Sequence, residues 1–141
     1  MLRRVSQPEK LPDGAVRLAG SDGCTFTFRR LRPGSMLVVI AGYDTGVLGD
    51  APLDIMTAEA QRSGALQLFV DTRDVTGVVT PVREAWTAWF MRHQAQLQRV
   101  TVLVSDKLIN SAVGVAKHFS RTGDLIRLVT EPARFDELTR S

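Results

Sequence analysis

Four short apolar runs restrict this chain more than any other feature. Met36–Ala41, Leu66–Val70, Val100–Val104 and Leu125–Val129 are nearly continuous in Leu, Val and Ile instead of alternating with polar residues. A strand of that kind is covered on both faces, as in a parallel sheet flanked by helices. The segments between them change period. Leu53, Met56 and Ala60 follow the first run, and Val82, Ala85, Trp86, Trp89, Phe90 and Leu97 follow the second. Leu108, Ala112, Val115, Ala116 and Phe119 follow the third, and Phe135 and Leu138 the last. These spacings are those of helices with one inward stripe. Pro52, Pro81 and Pro132 suit first helical turns, and Gly64 and Gly123 suit helix stops.

The amino-terminal part reads differently. Residues 1–13 hold two prolines and mixed charge, and are expected to be a flexible lead-in to a single domain over 14–141. Ala15–Ala19 and Cys24–Arg29 flank the turn signal Gly20-Ser-Asp-Gly23. The second segment sets Cys24, Phe26 and Phe28 against Thr25, Thr27 and Arg29, the alternation of a half-buried antiparallel strand. The order is therefore β-β-β-α-β-α-β-α-β-α. It defines a mixed, mostly parallel α/β sheet with an amino-terminal antiparallel hairpin and about four helices. Gly42–Gly49 reads as a flexible loop, and 71–80 as a polar loop leading to the helix from Pro81.

Composition excludes more than it selects. With 44% apolar and 23% charged residues, 141 residues suffice for a core without disulfides, and the lone Cys24 can form none internally. Cys24 is expected in the core beside Phe26 and Phe28. No apolar stretch has the length of a signal peptide or a membrane span, which predicts a cytoplasmic protein. The net charge of +3 is small, and Arg29, Arg30 and Arg32 stand without a row of stacking aromatics, so no nucleic acid is expected. These arginines read as a solvated edge, or as protection of an edge strand.

Residues 36–138 resemble the STAS domain superfamily, and within it the SpoIIAA-like branch. The resemblance lies in the strand ending Ala41-Gly42, in Leu68-Phe-Val-Asp71-Thr-Arg-Asp-Val75-Thr-Gly77, and in Val100–Asp106. It continues through Val115–Gly123 into Ile126–Val129 and the closing helix around Phe135 and Leu138. It implies a regulatory or protein-interaction module with little catalysis of its own. Phosphorylatable members carry Asp-Ser-Ser-Gly-Leu at the start of the second helix. The matching stretch here, Gly77-Val-Val-Thr80-Pro-Val82, places only Thr80 where the acceptor sits and lacks the flanking Asp and Gly. Read by itself, Thr80 is an N-cap ahead of Pro81.

Other chemistry is thinly represented. Asp44, Asp71, Asp74 and Asp106 each follow a strand, so a metal-dependent phosphoryl enzyme using Asp44 and Asp71 is one alternative. As ordinary structure, Asp50 and Asp106 cap helices and Asp74 forms a turn. Gly42, Gly46 and Gly49 match no phosphate-binding spacing. His93 and His118 have no partner at metal-ligand spacing, and Ser105 and Ser111 bring no triad. No cofactor and no metal are expected. Trp86, Trp89, Phe90 and Met91 crowd one helix. Trp86 and Phe90 are assigned to core, while Trp89 is divided between core and interface. His93, seven residues after Trp86 and four after Trp89, shares their face and borders any pocket there.

The leading expectation is thus a non-enzymatic module that binds a protein partner or itself through loop 71–80 and the following helix. Asp71, Arg73, Asp74, Thr76, Trp86, Trp89 and His93 form its surface. The alternative is an apolar small-molecule or lipid site on the Trp86/Trp89 helix.

Overall fold

A computed structural model describes residues 8–105 and 125–140. The strands are β1 (Glu9–Lys10), β2 (Val16–Ala19), β3 (Thr25–Arg32), β4 (Ser35–Asp44), β5 (Leu66–Val78), β6 (Leu97–Leu103) and β7 (Ile126–Val129). The helices are α1 (Ala51–Ser63), α2 (Thr80–His93) and α3 (Pro132–Arg140), with a 3-10 turn at Gln94–Gln96. The helix expected after Asp106, with Ser111 and His118, lies outside the described residues.

All seven strands form one sheet in sequential order. β1 to β4 pair antiparallel, and β4 to β7 pair parallel. The sheet is therefore evenly divided between the two arrangements, and the antiparallel part is larger than a hairpin. Part of the expected lead-in belongs to it, because Glu9 pairs with Arg17 and Lys10 with Val16. β3 lies between β2 and β4, so its arginines guard no edge. Arg30 instead reaches across to α1, where it donates two hydrogen bonds to the buried Glu59 at 2.7 and 2.8 Å. Arg29 pairs with Asp13.

The period-two face of the strands builds the main core. Phe26, Val38, Leu68 and Val70 pack with Met56 and Ala60 of α1 and with Trp89 and Phe90 of α2. The opposite face is smaller, with Phe69, Leu103 and Val129 packing against Phe135 of α3. Consecutive residues of β5, Leu68 and Phe69, thus serve different cores, which is why this run shows no alternation in sequence.

The expected loop 71–80 is largely strand. β5 runs on to Val78, paired with β4, which itself extends to Asp44 in place of the expected loop start at Gly42. Two register shifts make this possible. Val39 and Ala41 face Asp71 and Asp74, and Gly42 and Tyr43 face Val75 and Gly77, so β5 carries an extra residue in each interval. Such bulges bend a strand and re-aim its side chains. Gly42 has φ +91°, and a Cβ there would lie 2.9 Å from the carbonyl oxygen of Gly23, so only glycine lets β4 pass this turn.

Candidate functional site

The bulged end of β5 and the first turns of α2 enclose two adjoining cavities. The two bulges put Val75 on the same side of the sheet as Val70, Thr72 and Val78, in place of Asp74 and Thr76, which strict alternation would choose. Together with Val82, Trp86 and Phe90 of α2, and with Val102, Ile126 and Leu128 of β6 and β7, they line a cleft of about 140 Å³. The walls are apolar apart from Asp44, Thr72 and Arg83. Thr72 is already committed, since its hydroxyl donates to the carbonyl of Leu103 at 2.6 Å. The second cavity, about 260 Å³, lies between the loop after β4 and the start of α2, with Gly46, Leu48, Pro81 and Ala85 in its walls. Asp44, Val82 and Trp86 border both.

Of the two tryptophans, Trp89 takes the core side of its two expected readings, and Trp86, assigned to the core, is only half-buried. Trp89 is the buried one, 1% exposed, and its indole Nε1 donates to the Thr57 hydroxyl of α1 at 2.8 Å. Trp86 is half-buried, stacks on Phe26 at 6.2 Å and forms cleft wall. Met91 faces solvent, 54% exposed. His93 sits over the Trp89 ring at 4.7 Å and its Nδ1 meets Gln96 Oε1 at 3.1 Å, so it lines neither cavity.

The aspartates do not converge. Asp44 pairs with Val78 and Asp71 with Val39, at different heights along the β4–β5 seam. Asp71 is buried and accepts from Arg73 Nε at 3.0 and 3.1 Å, and Arg73 Nη2 continues to Asp136 of α3 at 2.8 Å. Both carboxylates raise the guanidinium's pKa, Asp71 more than Asp136. This is an ion-paired clasp on the α3 side of the sheet, whereas Asp44 opens on the α2 cleft. Asp74 and Thr76 are exposed, and Asp106 lies outside the described residues. Among the described residues no group of three His, Cys, Asp or Glu side chains is placed to hold a metal.

Asp44 has an unusual setting. It is 6% exposed, with Oδ1 accepting from the Gly46 amide at 3.0 Å. Burial raises its pKa, the Gly46 hydrogen bond offsets part of that, and the nearby Asp22 charge adds to it. Burial also pushes up the Asp22 carboxyl, but hydrogen bonds from the Thr45 hydroxyl and the Cys24 and Thr45 amides prevail and hold it low. Cys24 is in the core as expected, its thiol pushed up to about 12 by burial and by Asp44 and Asp22.

Neither helix start follows the expected capping. Val79 holds the N-cap position of α2, and Thr80 is its exposed first residue. Asp50 stands at the N-cap of α1, but its side chain makes no capping hydrogen bond.

No protein-family model matches the chain, and neither does any curated protein. The structure is similar to that of an uncharacterized protein of the DUF3478 family from Shewanella loihica PV-4, described as having a SpoIIAA-like fold. The two share 13% identity over 81% of this chain and 91% of that one, with a TM-score of 0.55. The fold is SpoIIAA-like, in agreement with the resemblance carried by residues 36–138. No helix among the described residues is long and apolar enough to cross a membrane.

Proposed function

We propose that the protein is a non-enzymatic, SpoIIAA-like binding module that holds the apolar part of a small molecule in the cleft beneath α2. The observation that carries this reading is the cleft itself. A volume of about 140 Å³ walled by Val70, Val75, Trp86, Phe90 and Val102 is close to that of an apolar protein cavity able to take benzene. Its aromatic wall and few polar groups are those of a ligand pocket. The test uses 1-hexanol as a neutral apolar probe. Saturable stabilisation of the full chain against heat is expected, together with a change in Trp86 emission, because a ligand that binds only the native state raises its stability. Val102→Phe fills the cleft and should abolish both signals. An unchanged melting curve at every hexanol concentration below denaturation would remove the reading.

A protein partner is the second reading, favoured by the exposed Tyr43, 49% accessible, beside Gly77 on the bulged strand end. Asp74, Thr76 and Thr80 are exposed on the same stretch of chain. Phosphorylation of Thr80 would regulate such a contact by adding charge at a helix start. Mass spectrometry of protein from its native cells decides that step, and an unmodified Thr80 in every growth condition would end it.

A further inference from the structure

The cleft is almost entirely apolar, yet one of its few polar groups is a carboxylate with capacity to spare. Asp44 occupies the helix-facing side of β4, in line with the buried Val38 and Ile40 and two residues beyond the half-buried Gly42. It borders both cavities and is 6% exposed. Among the described residues its carboxylate accepts one hydrogen bond, the 3.0 Å contact from the Gly46 amide to Oδ1, and none of them donates to Oδ2. A carboxylate accepts through about four lone-pair sites, so most of its capacity is unused. Among the described residues no group supplies positive charge to it. Asp22 is a second acid, Cys24 stays a neutral thiol, and Arg83 on the cleft wall has an interaction of its own.

A desolvated carboxylate in this state is complemented by a donor, and best by a cationic one. Charge-assisted hydrogen bonds are about twice as strong as neutral ones. An anionic head would face repulsion from Asp44 and, behind it, Asp22. Resting on the cleft reading above, we propose that Asp44 anchors the amino group of a small primary amine whose hydrocarbon part lies against Trp86 and Phe90. The available volume fits a ring or chain on the order of six carbons.

Three probes of equal chain length test this on the full chain: hexylamine, 1-hexanol and hexanoate, each titrated by calorimetry. Hexylamine is expected to bind about tenfold or more tighter than hexanoate, with hexanol between them. Asp44→Asn retains an acceptor for the Gly46 amide. It should erase the gap between amine and acid while leaving hexanol affinity unchanged, which also shows that the variant is folded. The proposal is overturned if hexanoate binds as tightly as hexylamine. It is equally overturned if the gap survives in Asp44→Asn. Failure of hexanol itself to bind would instead strike the cleft reading, and the anchor would fall with it.

Discussion

The indole nitrogen of Trp89 and the hydroxyl of Thr57 lie 2.8 Å apart, and this hydrogen bond joins α2 to α1 above the sheet. Thr57 in turn donates to the carbonyl of Leu53 at 2.9 Å, so the hydroxyl serves as both acceptor and donor. A buried indole without an acceptor would cost more than the bond contributes. The pair therefore sets which face of α2 turns inward, and leaves Trp86 to the cleft.

Trp89→Phe removes the donor and part of the ring, and is expected to destabilise the fold by about 2 kcal/mol. Trp86→Phe, at a half-buried position, should cost less than half as much. Urea unfolding of both variants checks the ranking. Equal losses would mean that the hydrogen bond to Thr57 contributes nothing measurable.

The folded state holds the Asp44 carboxyl above its ordinary value, chiefly through burial. A group of this kind binds its proton more tightly when folded, so ionising it costs stability as pH rises through the window just above the ordinary carboxyl value. Asp22 and Cys24 face it and carry no compensating positive charge. Asp44→Asn should therefore melt at or above the wild-type temperature at neutral pH, with the difference shrinking toward about pH 4. Thermal melts across that range check the sign. A variant less stable at neutral pH than in acid, relative to wild type, would contradict it.

Two glycines of the β4–β5 seam should respond differently to a methyl group. Gly42 has a positive φ, and backbone atoms of Gly23 and Cys24 stand 2.9 and 3.2 Å from its would-be Cβ. Gly42→Ala is expected to cost about 2 kcal/mol or more. At Gly77 the obstruction is the exposed Tyr43 ring, 2.7 Å away, which can swing aside. Gly77→Ala should cost about 1 kcal/mol or less, comparable with an ordinary strained surface site. Chemical denaturation of the two variants gives the comparison directly.

The clasp of Arg73 with Asp71 and Asp136 has one buried arm and one exposed arm, their acid side chains 10% and 44% accessible. Arg73→Met strands the buried Asp71 and is expected to cost about 1–3 kcal/mol. Asp136→Ala removes only the exposed arm, for which about 0–1 kcal/mol is expected. A double-mutant cycle that found the exposed arm stronger would refute this division of roles.

Much of the architecture was legible from local chemistry. The apolar runs marked β4 to β7, the stripes at helical spacing marked α1, α2 and α3, and the alternation of Cys24, Phe26 and Phe28 marked β3. Burial on one face or two leaves a period that can be read residue by residue. The continuation of β5 was not legible, because its two bulges break the period just where Asp71, Arg73, Asp74 and Thr76 resemble a loop. The site was legible only as a region. Trp86, Trp89, Asp44 and Asp71 were all singled out, but which tryptophan is buried depends on Thr57, 32 residues away, and Asp71 is occupied through Arg73 by Asp136 of α3. Periodicity records how a segment meets the nearest surface. The pairing of a buried polar group is set by whatever the folded chain brings beside it, so only the tertiary structure separated the satisfied Asp71 from Asp44 at the cleft.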